Sequence, residues 1–299
     1  MKNLKEKLSS ESPFLSWFLL IVLAIIWGSS FILIKKGLES FSAVQVGTIR
    51  ISFAFLVMLP FALKSLGSVF KVYWKKILIL GMFSNLFPAI LFATAETGLS
   101  SSLAGILNAL TPIMTLIAGI LFFSTSVRML QLLGLFIGFI GSFALSFIDS
   151  VGEIGEFNHF ALYVILATMM YGFSGNFIKK YLTGIHPVTL TALAVFTIGP
   201  FSIIFLFTTD FISRFSSIDG AWASLGYLFL LGAIGTALAL VLFNKLIQNT
   251  TAVFASSVTY LIPIMAVVWG IIDGESFFIM HLFGMGLITL GVYLVNKKK

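Results

Sequence analysis

The chain of 299 residues is long enough for two ordinary soluble domains, yet 59% of it is hydrophobic and only 10% charged, against about 25% charged in globular proteins. So few charges cannot coat a water-soluble body, which excludes soluble, disordered and collagenous classes; with no Cys, disulfides, thiolate metal sites and a Cys nucleophile are excluded as well. The net charge of +7 is distributed along the chain rather than gathered in one patch, and does not point to nucleic acid.

A helix needs about 20 apolar residues to cross roughly 30 Å of hydrocarbon. Windows of that length predict ten membrane-crossing helices, over residues 14–34, 43–63, 77–95, 101–123, 129–148, 160–178, 188–208, 222–246, 252–272 and 277–296. Their connections are short, which leaves nothing from which to build a soluble catalytic domain. Lys2, Lys5 and Lys7 before an apolar run imitate a secretory signal peptide. The run extends past Trp27, however, and its far end recurs later in the chain, so it reads as the first crossing helix.

Lys and Arg accumulate in cytoplasmic loops. An N-terminus inside puts Lys2, Lys5, Lys7, Lys64, Lys71, Lys75, Lys76, Arg128, Lys179, Lys180, Lys245, Lys297, Lys298 and Lys299 on the cytoplasmic side, with Lys35, Lys36 and Arg214 outside and Arg50 within a helix. Asp149, Glu153, Glu156, Asp210, Asp219, Asp273 and Glu275 fall outside. Both termini are therefore expected in the cytoplasm, and the positive charge records topology.

The chain also repeats itself. Trp27-Gly28-Ser29-Ser30 through Lys35-Lys36 aligns with Tyr171-Gly172-Phe173-Ser174 through Lys179-Lys180. Leu110-Thr111-Pro112-Ile113-Met114 aligns with Leu261-Ile262-Pro263-Ile264-Met265, Gly81 with Gly232, Gly134 with Gly284 and Gly141 with Gly291. Shared Pro, Gly and Lys-Lys at nearly constant offset are not explained by apolar composition. The repeats are placed at 1–150 and 151–299. Five crossings per repeat is odd, so the halves are expected to enter the membrane from opposite sides, an architecture of secondary transporters whose site lies where the repeats meet.

Trp27-Gly28-Ser29-Ser30, Arg50 and Thr111-Pro112, taken in order, resemble the EamA-type branch of the drug/metabolite transporter superfamily over essentially the whole chain. The resemblance implies an all-α, ten-helix carrier of five-plus-five inverted topology. It implies a central cavity lined mainly by the first, third, fourth, sixth, eighth and ninth helices, and export or exchange of amino acids, other small metabolites or drugs. The family often carries a Gly-Glu pair after the fourth and ninth helices. Gly274-Glu275 fits the second position, but Ser124-Thr125 stands at the first, so that glutamate is not expected to be a required binding group.

A charge at mid-bilayer costs roughly 2.5 to 3.5 kcal/mol on insertion scales, and Arg50 is the one such residue. It either attracts a substrate carboxylate or bonds backbone carbonyls and locks packing; the repeat has Ala194 at the matching place. Glu96, near the outer surface, is read as a solvated rim residue, with pairing to a substrate amine or to Arg50 as the alternative. The leading substrate-binding candidates are uncharged: Trp27, Ser30, Asn85, Asn108, Tyr171, Asn176, Thr259 and Tyr260. In lipid such groups need hydrogen-bond partners, so each is either cavity lining or interhelical packing; Pro112 and Pro263 nearby free carbonyls in the preceding turn. Gly134-Leu135-Phe136-Ile137-Gly138 is a GxxxG pattern, assigned to packing inside the bundle before a dimer face, leaving monomer and homodimer both open.

His159, His186 and His281 lack metal-ligand spacing, and neither HExxH, Walker A nor a nucleophile elbow occurs. No cofactor, metal or catalytic residue is expected, and ATP hydrolysis by this chain is excluded. No Asp or Glu lies deep in a predicted helix, which disfavours a proton antiporter built on a buried carboxylate. The expected protein is a multi-pass carrier of the plasma or inner membrane that moves small metabolites, amino acids foremost, outward by alternating access. A channel, a non-transporting scaffold and a membrane-embedded lipid enzyme are the rival readings.

Overall fold

A computed structural model of the chain describes residues 13–99, 101–149, 159–272 and 279–297. Lys2, Lys5, Lys7, Glu153, Glu156, Asp273, Gly274, Glu275, Lys298 and Lys299 lie outside the described residues. All regular structure among those described is helical. In chain order it comprises α1 (Pro13–Gly28), α2 (Ser30–Leu38), α3 (Ala43–Ser65), α4 (Lys71–Gly81), α5 (Phe87–Ala95), α6 (Ser101–Asn108), α7 (Thr111–Phe123), α8 (Met129–Asp149), α9 (Ala161–Phe177), α10 (Pro187–Phe207), α11 (Phe211–Ser217), α12 (Ala221–Gly232), α13 (Ala239–Asn249), α14 (Ala252–Ser256), α15 (Val258–Ile272) and α16 (Ile279–Asn296). Single π-helical turns at Leu66–Phe70, Met82–Leu86, Ile178–Leu182 and Ala233–Leu238 join several of them without a break in the helix.

Five continuous helical lengths among the described residues are apolar and long enough to cross a membrane: Phe14–Leu38, Ala43–Ala95, Ala161–Leu182, Pro187–Phe207 and Ala221–Asn249. Ala43–Ala95 has 53 residues, about 80 Å at 1.5 Å per residue, far more than one bilayer needs. It folds back on itself at Leu66–Phe70, because Gly47 near one end touches Ile90 near the other. Thr111–Phe123, Met129–Ala144, Ala252–Met265 and Leu282–Asn296 are shorter apolar helices. Large apolar side chains such as Phe14, Leu121, Phe136, Phe201 and Phe283 point outward. Such a surface is unfavourable in water and natural against lipid.

Two helix pairs hold the bundle together, and both run antiparallel. In the first, α3 lies along α10: Gln45 Nε2 donates to Thr209 Oγ1 (2.9 Å) and Asp210 Oδ1 (2.8 Å) at one end. Phe55 fills the space beside Gly199 in the middle, and Ser65 Oγ donates to Thr189 Oγ1 (3.5 Å) at the other end. A capping box, in which Ser42 and Gln45 bond each other's backbone, starts α3 at that first end. There, the hydrogen bond from Arg214, beside that from Gln45, holds the exposed Asp210 carboxyl below its ordinary range.

In the second pair, α8 packs on α16 at backbone contact. Gly134 meets Gly291 and Val295, Gly138 meets Gly291, and Gly141 meets Gly284 and Ile288. A Cβ on Gly291 would lie 2.5 Å from the Gly138 nitrogen, so only glycine fits. The GxxxG stretch of α8 is used within this chain.

Four glycine contacts between other helices fall into two matching pairs. Gly28 packs on Met265 and Gly172 on Met114; Gly81 packs on the Ala194 carbonyl and Gly232 on the Arg50 carbonyl. These are the residues the sequence repeat aligns: Gly28 with Gly172, Met114 with Met265, Gly81 with Gly232 and Arg50 with Ala194. A π turn follows immediately after Gly81 and after Gly232. The helical course is also interrupted between α6 and α7, at Ala109 and Leu110, and between α14 and α15, at Ser257.

Candidate functional site

Where these interrupted and π-turned segments converge, the structure holds a cavity of about 90 Å³. Its polar lining consists of Trp27, Ser30, Arg50, Ser84, Asn85, Asn108, Thr111, Thr115, Tyr171, Thr236, Ser256 and Thr259. Phe31, Phe92, Phe243 and Ile262 supply apolar wall.

The π turn Ala233–Leu238 organises one side. An i→i+5 turn inserts a residue into the helix and redirects its side chains and carbonyls. Trp27 Nε1 donates to the Gly235 carbonyl (3.0 Å), and Arg50 Nε donates to Thr236 Oγ1 (2.6 Å). Thr236 Oγ1 in turn donates to the Leu231 carbonyl (3.0 Å), five residues back. A wall residue and the cation of the cavity are thus fixed on one turn of a third helix. The matching turn in the first half, Met82–Leu86, contributes Ser84 and Asn85.

Arg50 spends only its Nε on the described protein; its two terminal nitrogens make no hydrogen bond there. Tyr171 and the half-buried Glu96 are its electrostatic neighbours. Tyr171 stacks on Phe92 with ring centroids 6.0 Å apart, and Trp27 meets Phe243 edge-on at 5.1 Å.

The smaller hydroxyls are mostly spent on backbone. Ser30 bonds the Ile26 carbonyl (3.0 Å), Thr115 that of Thr111 (2.7 Å), Ser256 that of Val253 (2.9 Å) and Thr259 that of Ser256 (3.0 Å). The amides are less committed. Asn108 accepts from Thr111 Oγ1 through Oδ1 (3.1 Å) and keeps its NH₂, while the Asn85 side chain makes no bond among the described residues although it is buried. One guanidinium, two amides and a phenol therefore converge on an otherwise apolar chamber.

Of the sequence candidates, Trp27, Ser30, Asn85, Asn108, Tyr171, Thr259 and Arg50 line this cavity. Asn176 and Tyr260 sit elsewhere. Asn176 Nδ2 donates to the Thr115 carbonyl (2.7 Å) and the Gly172 carbonyl (2.9 Å), tying α9 to α7. The fully buried Tyr260 donates to the Leu135 carbonyl (3.0 Å) and lays its ring against Gly138. Ser84, Thr111, Thr115, Ser256 and Phe243 are lining residues that the sequence reasoning did not select. Ser84 had a signal in its neighbour Asn85; Phe243, one Phe among 33, had none.

Among the described residues no group of His, Asp and Glu has the arrangement of a metal site.

Compared with known proteins, the chain fits the pattern of the EamA-like transporter family twice, over residues 15–147 and 159–297. It is 25% identical over 291 residues to an uncharacterized transporter of Archaeoglobus fulgidus, covering 95% of this chain and 99% of that one. It is 24% identical to the uncharacterized inner membrane transporter YedA of Escherichia coli, over 94% of this chain and 90% of that one. To the uncharacterized transporter YvbV of Bacillus subtilis it is 26% identical, over 94% and 91%. A protein of known crystal structure superposes with a TM-score of 0.71 at 12% identity, covering 95% of this chain and 96% of that one, which shows a shared fold.

Proposed function

Because the chain belongs to the EamA-like transporter family, whose pattern it carries in two copies, we propose that it is a secondary carrier exporting small zwitterionic metabolites, amino acids foremost, by alternating access. It is a multi-pass protein of the cell membrane. In this reading ten helices cross the bilayer as two five-helix repeats of opposite orientation, 1–150 and 151–299, with both ends in the cytoplasm. The antiparallel course of α3 against α10 and of α8 against α16 supports that inversion. Equivalent helices of two repeats threaded the same way would pack parallel.

The observation that carries the substrate class is the cavity itself, with Arg50 as its cation. A carboxylate accepts paired N–H bonds from a guanidinium, and the terminal nitrogens of Arg50 are available for it. The faces of Trp27 and Tyr171 suit an ammonium group, with Glu96 nearby, and the Asn85 and Asn108 amides suit either pole. Among the described lining residues there is no Asp or Glu, which favours facilitated efflux or exchange over a proton antiporter built on a buried carboxylate.

Purified protein in liposomes preloaded with unlabelled amino acids is expected to accelerate uptake of the labelled compound, with saturation and with stimulation from the opposite side. A channel gives flux without that stimulation. No acceleration over protein-free liposomes across the proteinogenic amino acids would overturn the substrate class.

A further inference from the structure

A second site lies at the opposite end of the bundle from Asp210, outside the cavity. Here α4 of the first half meets the π turn Ile178–Leu182 of the second, and cations gather on aromatic rings. Lys76 Nζ lies 5.1 Å from the Tyr181 ring centroid and 5.7 Å from that of Tyr73. Lys180 Nζ approaches the same Tyr181 ring at 5.4 Å and the Phe123 ring at 5.6 Å. Lys75 Nζ stands 5.5 Å from Trp74, itself 47% exposed. The two ion pairs among the described residues, Lys36–Glu39 and Arg214–Asp210, are at the other end. Between Glu39 and Asp149 the sequence holds a single acidic residue, Glu96, which closes α5 at that other end.

Two ammonium groups on one ring attract the ring and repel each other. That arrangement is favourable when an anion lies between them, and the position selects which anion. Tyr, Trp and Lys together mark the membrane–water boundary, and basic pockets between helices at that depth hold anionic lipid headgroups. Next along α7 from Phe123, the ring that Lys180 approaches, Leu121 and Phe122 are 68% and 64% exposed, and Phe122 and Phe123 rest on Phe173. A charged cradle for a phosphate thus adjoins an apolar strip of the kind an acyl chain covers.

We propose that Lys76, Lys180 and Tyr181 bind the phosphodiester of an anionic phospholipid, whose acyl chain runs along Leu121 and Phe122. Since Lys76 belongs to the first half and Lys180 to the second, the bound headgroup clips the halves together at this face.

The test is lipid retention by the intact protein in neutral detergent, read by native mass spectrometry and by melting temperature. Phosphatidylglycerol is expected to bind and raise the melting temperature, and phosphatidylcholine and soluble glycerol phosphate to do neither. K76Q/K180Q is expected to weaken phosphatidylglycerol binding about tenfold or more, at several-fold per lysine. K76R/K180R retains binding. K64Q/K297Q removes the same charge from exposed positions at the same end and is expected to change binding less than about threefold. Equal losses in the two glutamine variants would reduce the effect to general surface charge and overturn the proposal. Glycerol phosphate binding as well as the lipid would overturn it in favour of a soluble phosphate.

Discussion

At the scale of single residues, the most expensive group in the chain is Arg50. Its insertion cost, about 2.5 to 3.5 kcal/mol, is offset in part by the bond to Thr236 and by the nearby Glu96. If the remaining nitrogens hold a carboxylate, R50A removes a charged hydrogen bond of about 1.5–3 kcal/mol. That predicts a rise in KM of roughly tenfold to a hundredfold in the liposome assay. R50K keeps the charge but loses the planar fork that lets Nε hold Thr236 while the terminal nitrogens pair with a carboxylate, and is expected to fall between. An unchanged KM in R50A, with the protein eluting normally, would return Arg50 to a purely structural role. Residue type made most of the cavity readable, since polar side chains in an apolar chain have few places to go. Direction was harder to read. Tyr260 follows Thr259 and Asn176 follows Gly175, but one step along an α-helix turns a side chain by about 100°, which swings both away from the cavity. Ser84 and Asn85 are also neighbours, yet both reach it, as do Ser30 with Phe31 and Arg50 with Ile51.

At the scale of helices, the seam between α8 and α16 is set by glycine. G291A forces a methyl to within 2.5 Å of the Gly138 nitrogen. Backbone cannot yield as a side chain can, so a loss of about 1–3 kcal/mol is expected. G286A on the same helix meets nothing within 4 Å and is expected to be neutral or to gain up to about 1 kcal/mol from better helix propensity. Melting temperatures of the two purified variants check this, and indistinguishable values would contradict it. The glycines were legible in the sequence as aligned positions; what they touch was not, because the contact joins segments some 150 residues apart. Helix ends were the least legible feature. Hydropathy windows stop where apolar residues stop, at Ile34 and Leu246, whereas the helices run on to Leu38 and Asn249. Conversely, one apolar window over 101–123 conceals the interruption at Ala109 and Leu110, since local backbone breaks leave no mark in hydropathy.

At the scale of the whole molecule, the helix contacts described above mostly join one half to the other. Co-expression of 1–150 and 151–299 as separate chains is therefore expected to restore amino-acid counterflow in part, while neither half alone gives any. Activity from one half by itself would contradict a shared cavity. Charge is the sequence feature that addresses this scale, through the expected placement of Lys and Arg by side of the membrane.

The antiparallel glycine seam carries a consequence for ancestry. A surface that fits its own duplicate head to tail is self-complementary. A single five-helix protein able to insert in either direction would have formed the same assembly from two identical subunits. In such a homodimer every residue appears twice, so an arginine near the dyad would confront its own copy across the chamber. In one polypeptide that constraint is absent: Arg50 lines the chamber, while Ala194, its aligned counterpart, lies buried against Gly81 and away from it.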